Sequence, residues 1–115
     1  MTLRENQVAF AKDTIKLYQY ILENGFEFTY GEVLRTQEQQ AIYIKEGKSK
    51  TSNSRHLIKC AVDLNIFKDG ALIDSKEMLQ SIGDFWESLS DRNKWGGNYT
   101  GGFLDTPHYE RLPIY

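Results

Sequence analysis

The chain has 115 residues, of which 40% are hydrophobic and 26% charged, and its formal net charge is -2. This length accommodates a single domain with one modest core. The charge balance argues against nucleic-acid binding, and the lone cysteine, Cys60, excludes an intramolecular disulfide.

The sequence also contains no signal-peptide core and no lipidation motif. Its apolar runs are far shorter than the roughly 18 residues that a membrane helix needs. We therefore expect synthesis and folding in the cytoplasm, without membrane insertion.

The first predicted element is an amphipathic helix from Thr2 to Asn24. Thr2 and Glu5 have the spacing of a capping box, and Gly25 is a stop signal. Apolar residues recur at steps of three and four, as on one stripe of a helix: Leu3, Val8, Phe10, Ala11, Ile15, Leu17, Tyr18, Ile21 and Leu22. We interpret this helix as a packing element without chemistry.

The next segments predict a strand from Phe26 to Leu34, which is rich in aromatic residues, and a helix from Thr36 to Glu46. A polar loop covers residues 47–55. Cys60 to Phe67 forms the second predicted strand. Because strand side chains alternate, Val62, Leu64 and Ile66 share one face, and Asp63 lies on the other.

A turn at residues 68–70 and a return strand from Ala71 to Ile73 complete a predicted hairpin. A third helix, capped by Asp74 or Ser75, runs to about Ser90. Its predicted buried stripe is Met78, Leu79, Ile82, Phe85, Trp86 and Leu89. A glycine-rich tail and a last strand near residues 108–112 follow. The sum is an α+β fold with about three helices and a small, mostly antiparallel sheet.

The two histidines of the chain suggest a metal site. His56 lies seven residues before Asp63, and His108 lies near the carboxyl end beside acidic residues. Histidine and carboxylate form a ligand set suited to zinc, with a position left for water. The alternatives are a solvated surface carboxylate at Asp63 and histidines that never meet.

A metal-activated water needs a carboxylate that accepts its proton. Asp105 lies three residues before His108, and Glu110 lies two residues after it, on the same side if the segment is a strand. Either residue is a candidate for this base or for a partner that orients His108. Residue chemistry alone leaves both possibilities open.

Two further features have structural and functional readings. Arg35 is a candidate for polarising a substrate oxygen and equally an ordinary surface charge beside a helix. Trp95 and Tyr99, among paired glycines, are candidates for the wall of a groove. We favour the core for Trp95 and Trp86.

Several motifs resemble those of the M15 zinc peptidases. The segment Ser54-x-His56-x-x-Lys59-x-Ala61-x-Asp63 is similar to the S-x-H-x-x-G-x-A-x-D signature of that family. Trp95-Gly96-Gly97 and Asp105-x-x-His108-Tyr109-Glu110 resemble the branch of phage endolysins that cut L-alanyl-D-glutamate bonds. Residues 35–40 and 47–49 resemble the same branch, so that four blocks occur in the family order. The fold implied is that of the hedgehog and DD-peptidase proteins.

The resemblance implies a role for each matching residue. His56, Asp63 and His108 would be the zinc ligands, and Asp105 the general base. Arg35 would stabilise the developing oxyanion or position the substrate. Gln40 and Ser54 would contact the substrate.

The chain departs from the signature at Lys59, where the family has glycine. If that position requires a positive φ, a side chain there costs on the order of 1 kcal/mol. We take Lys59 as a tolerated variant, with a weakened homologue as the alternative.

The implied function is zinc-dependent hydrolysis of a peptidoglycan stem peptide at the L-Ala–D-Glu bond. The alternatives are a D,D- or L,D-carboxypeptidase and an inactive metal- or wall-binding homologue. We expect one catalytic domain over residues 1–115 with no separate wall-binding domain, acting as a monomer. The resemblance implies synthesis in the host cytoplasm and access to the wall or periplasm through a holin or similar membrane lesion.

Overall fold

The computed structural model of the protein describes residues 1–31 and 59–115. The described elements, in chain order, are helix α1 (Leu3–Glu23), strands β1 (Glu27–Tyr30), β2 (Ala61–Lys68) and β3 (Ala71–Ile73), helix α2 (Lys76–Ser88), strand β4 (Asn93–Trp95), a 3-10 helix (Gly96–Asn98) and strand β5 (His108–Arg111). The predicted α+β class is confirmed. The predicted helix from Thr36 to Glu46 lies outside the described residues, and no helix among the described residues has the length and apolarity needed to span a membrane.

Helix α1 begins with the predicted capping box. The Thr2 side chain accepts a hydrogen bond from the Glu5 backbone, and the Glu5 side chain accepts one from the Thr2 backbone. The predicted apolar stripe was partly wrong, because Phe10, Leu17 and Ile21 are buried whereas other members remain exposed: Val8, Ile15 and Leu22. The nine apolar residues cover too wide an arc of the helix for one buried face.

The strands form one antiparallel sheet in the order β1-β2-β5-β4, and β3 also pairs with β2. The predicted β2–β3 hairpin is confirmed, with Asp69 and Gly70 at φ 52° and 80° in its turn. Strand β4 was missed by the sequence analysis. It has only three residues and exists by pairing with β5.

The core lies between the helices and the sheet. It includes residues from both helices and from β2, β4 and β5, with these members: Phe10, Leu17, Ile21, Cys60, Val62, Leu64, Ile66, Leu79, Ile82, Trp86, Trp95 and Tyr109. Both tryptophans are fully buried, as predicted. Met78, expected in the buried stripe of α2, is instead exposed. Ser75 precedes α2 as its N-cap residue.

Candidate metal centre

Three of the predicted site residues come together at one end of the sheet. Asp63 lies in β2, His108 begins β5, and Asp105 lies in the turn before β5. One ligand-type atom of each residue lies within 4.8 Å of those of the other two. The Nδ1 atom of His108 lies 3.0 Å from the Oδ1 atom of Asp63.

The register of β2 and β5 brings Asp63 and His108 together. These residues are direct cross-strand partners although they are 45 positions apart in the chain. Their neighbours Val62 and Tyr109, also paired, point into the core. Because side chains alternate along a strand, Asp63 and His108 share the opposite face. The predicted register of Asp63 agrees with this arrangement.

Backbone and indole hydrogen bonds hold the turn that carries Asp105. The Asp105 amide donates to the Gly96 carbonyl at 3.1 Å, and the His108 amide donates to the Asp105 carbonyl at 3.0 Å. The indole Nε1 of Trp95 donates to the Thr106 carbonyl at 2.8 Å. Buried Trp95 therefore supports the position of Asp105 from below the site rather than forming a groove wall.

Close packing at this turn depends on glycine. A Cβ atom added at Gly96 would lie 1.9 Å from the Asp105 carbonyl oxygen, which is far inside van der Waals contact. The Trp95 ring is enclosed in the same way by Gly83 of α2 and by Gly97. Gly83 was missed by the sequence analysis, although a glycine inside a helix, which costs about 1 kcal/mol relative to alanine, is a usable signal.

Glu110 lies on the far side of the His108 ring from Asp63. Its Oε1 atom is 3.5 Å from Nε2 of His108 and also accepts a hydrogen bond from the Tyr99 hydroxyl. Residue chemistry left two roles open for Glu110, the general base and a partner that orients His108. This geometry favours the partner that orients His108. The contact with Tyr99 was not predicted.

The carboxylates control the protonation of this cluster. Burial by itself lowers the pKa of His108, but hydrogen bonds to Asp63 and Glu110 outweigh it and raise the pKa to about 9. Burial, together with the nearby Glu110 charge, raises the pKa of Tyr99. The Tyr99 hydroxyl is therefore protonated and acts as a donor.

The described residues fit a divalent cation. Among the described residues, Asp63, Asp105 and Glu110 place three carboxylates around one imidazole, and these oxygen and nitrogen atoms are ligand types that a divalent cation accepts. One ring nitrogen of His108 faces Asp63 and the other faces Glu110, as is common for histidine ligands whose second nitrogen bonds a carboxylate. Imidazole with carboxylate is a donor set that zinc accepts.

The remaining predicted site residues, His56, Arg35, Gln40 and Ser54, lie outside the described residues. Lys59, which replaces the signature glycine, is described and has φ 60°. The position therefore does have the left-handed backbone that favours glycine.

Comparison with known proteins identifies the family. The family model described as D-alanyl-D-alanine carboxypeptidase, from the M15 peptidases, matches residues 47–111, more than half of the chain. The chain belongs to the M15 peptidase family. A relative in sequence, the L-alanyl-D-glutamate peptidase of Listeria phage A118, is 34% identical over 110 residues, which cover 94% of this chain. The chain spans only 37% of that relative's length.

Two solved structures share the M15 fold of the chain. The L-Ala D-Glu endopeptidase ChiX of Serratia marcescens matches with a TM-score of 0.70 and 24% identity, over 94% of this chain and 84% of ChiX. The E175A mutant of the vancomycin-resistance D,D-pentapeptidase VanY, in complex with Zn(II), matches with a TM-score of 0.58 and 20% identity, over 91% and 71% of the two chains. The resemblance inferred from the motifs is confirmed.

Proposed function

We propose that this chain is a zinc-dependent peptidase that hydrolyses the L-Ala–D-Glu bond of peptidoglycan stem peptides. The observation that carries the proposal is the convergence of Asp63, Asp105 and His108 within 4.8 Å on the sheet face opposite the core. Membership of the M15 family and the similarity to a phage L-alanyl-D-glutamate peptidase support the substrate class.

The proposed ligands are Asp63 and His108, together with His56. When bound, zinc supplies Lewis-acid chemistry, which polarises the scissile carbonyl and makes water a nucleophile near neutral pH. Asp105 is the proposed general base: its carboxylate accepts the proton of the attacking water and donates it to the leaving amine. Its place in the short turn before His108 supports this role.

The proposed roles of Arg35, Gln40 and Ser54 rest on the sequence resemblance alone. Arg35 would stabilise the developing oxyanion or position the substrate, because a guanidinium supplies fixed donors and a permanent charge. Gln40 and Ser54 would contact the stem peptide.

A second candidate is a D,D- or L,D-carboxypeptidase that trims the same stem peptides. The description of the matching family, D-alanyl-D-alanine carboxypeptidase, favours it. A third candidate is a homologue with weakened catalysis, and the positive φ of Lys59 favours that one. The experiment below separates all three.

We further propose that the chain acts as one catalytic domain and as a monomer, because Asp63, Asp105 and His108 come from one chain and one core supports them. The similarity to a phage protein supports an endolysin that is synthesised in the host cytoplasm and reaches the cell wall through a holin or similar lesion. Light scattering on the purified protein tests the monomer.

The test uses purified protein and isolated peptidoglycan. Clearing of the suspension should stop after treatment with a chelator and return when zinc is added. Mass spectrometry should find a new free amino group on D-glutamate, whereas loss of a terminal D-alanine would indicate the carboxypeptidase. A zinc-loaded, folded protein without turnover would indicate the weakened homologue, and activity that is insensitive to chelator would contradict the zinc mechanism.

A further inference from the structure

We propose that Tyr99 is a positioning residue for the metal centre. Its hydroxyl holds the Glu110 carboxylate, and Glu110 in turn sets the orientation and tautomer of the His108 ring. The inference rests on the proposed function, because the orientation of His108 has a catalytic consequence only if its ring binds zinc.

The first step concerns the long contact between Glu110 and His108. Their Oε1 and Nε2 atoms are 3.5 Å apart, at the outer limit of a hydrogen bond. A small displacement of the carboxylate therefore decides whether this bond forms. The Tyr99 hydroxyl donates to that same Oε1 atom, so Tyr99 restricts the displacement.

The second step concerns the support of Tyr99 itself. Tyr99 directly follows the 3-10 helix Gly96–Asn98, and its amide donates to the Gly96 carbonyl at 3.3 Å. Asn98, the preceding residue, donates to Glu87 of α2 at 3.2 Å. The Tyr99 ring lies 6.1 Å from the His108 ring between centroids. Hydrogen bonds to ordered elements therefore hold the backbone that carries the Tyr99 hydroxyl.

The third step concerns the tautomer of His108. A neutral imidazole carries its proton on one nitrogen only. Asp63 is the nearer carboxylate, at 3.0 Å from Nδ1, and by itself would favour a proton there. A carboxylate held against Nε2 favours the proton on that nitrogen, which leaves the Nδ1 lone pair directed toward Asp63 as a metal donor. Through Glu110, Tyr99 therefore influences which nitrogen of His108 carries the proton.

The test replaces Tyr99 with phenylalanine, which removes the hydroxyl and keeps the ring. Tyr20→Phe is the matched control, since Tyr20 lies on α1 and stacks on Phe85. Zinc affinity is measured by competition with a chelator, and the exchange of the His108 Nε2 proton is measured by ¹⁵N NMR of the zinc-loaded protein. Glu110→Gln, which removes the charge of the direct partner, is measured in parallel.

Replacing the direct partner of a metal-binding histidine typically weakens affinity about 10- to 100-fold, so we expect Glu110→Gln in that range and Tyr99→Phe at about 3- to 10-fold. The Nε2 proton should exchange faster in both variants than in the Tyr20→Phe control. The exchange of the Nε2 proton reports the state of the His108 ring. A purely structural role of Tyr99 would leave this exchange unchanged.

Equal affinity and equal proton exchange in Tyr99→Phe and Tyr20→Phe would overturn the proposal. A weaker affinity with unchanged exchange would also overturn it, because the ring would then be unaffected. If Tyr99→Phe does not fold, unchanged exchange in Glu110→Gln decides against the proposal, and faster exchange supports it. A wild-type protein that binds no zinc would instead refute the proposed function, and this inference with it.

Discussion

The two faces of strand β5 carry polar groups of different kinds. His108 and Glu110 point to one face and gather with Asp63 and Asp105, so that carboxylates surround one imidazole. Tyr109 and Arg111 point to the other face and are buried, with 0% and 4% exposure. The same four residues thus serve a candidate reaction centre on one side and the protein interior on the other.

On the buried face, the side chains of Arg111 and Asn6 are joined by a hydrogen bond. Nε of Arg111 donates to the side-chain oxygen of Asn6 at 3.2 Å, and that oxygen also accepts the Ile114 amide at 2.8 Å. The Asn6 amide group donates to the Ile114 carbonyl at 2.7 Å. Donors meet acceptors in this cluster of Asn6, Arg111 and Ile114, whereas at the other face carboxylates lie close together. The difference indicates that the cluster around Asn6 and Arg111 only stabilises the fold. The cluster around Asp63 and His108 is suited to a bound cation.

The largest expected effect comes from removing His108. His108→Ala should lose both zinc binding and hydrolysis, because the variant lacks a proposed ligand, and its circular dichroism should remain that of a folded protein. Zinc content by elemental analysis and peptidoglycan clearing measure the two losses. Tyr109→Ala, on the buried face, should instead lose the folded protein itself, which circular dichroism detects. Retention of zinc in His108→Ala would contradict the assignment of the ligand.

Asp105→Asn should separate metal binding from catalysis. We expect turnover to fall by about 10²- to 10⁴-fold, the usual contribution of a general base, while zinc content stays near that of the wild type. Asp91→Asn, at an exposed position, is the matched control and should retain activity. If Asp105→Asn lost its zinc, the residue would be acting as a ligand and the proposed division of roles would be wrong.

Asn6→Ala should disturb the buried face alone. It removes the acceptor of the Arg111 and Ile114 hydrogen bonds, and an unsatisfied buried group costs about 1–3 kcal/mol of unfolding free energy. Urea unfolding measures the loss, and Asn24→Ala, at an exposed helix end, should lose less. Activity per folded molecule should not change, and a specific loss of zinc affinity would mean that the two faces are coupled.

The smallest expected effect is at Lys59. Because its φ is 60°, Lys59→Gly should raise the unfolding free energy by about 0.5–1 kcal/mol, the difference between relief of the left-handed strain and the greater freedom of glycine in the unfolded chain. Lys68→Gly, in strand β2, should lower stability. A lower stability of Lys59→Gly would show that its side chain makes contacts that outweigh the backbone strain.

Local patterns predicted the elements whose stability is local. The capping box of α1 and the β2–β3 hairpin are both found, and alternation along β2 correctly directs Asp63 away from the core. The second predicted half of the site, near His108, was placed by linked motifs rather than by periodicity. Such motifs indicate that residues distant in the chain converge, and Asp63, Asp105 and His108 do so.

Features that depend on tertiary pairing were not predictable from local patterns. Strand β4 is too short to give a periodic signal and is defined by its partner β5. The enclosure of Trp95 by Gly83 and Gly97 joins two elements, and the contact between Tyr99 and Glu110 depends on the turn geometry between them. The width of the buried face of α1 is likewise set by what packs against it.

The direct pairing of Asp63 with His108 has a consequence for how the protein acquires its structure. A slip of β5 along β2 by one residue would exchange the faces of the strand, turning His108 inward and Tyr109 outward. An ion that requires both side chains would bind only the correctly aligned chain, and would stabilise it in proportion to the logarithm of its concentration. The ion would then select the alignment of two distant strands, and refolding in its presence should give a more uniform product.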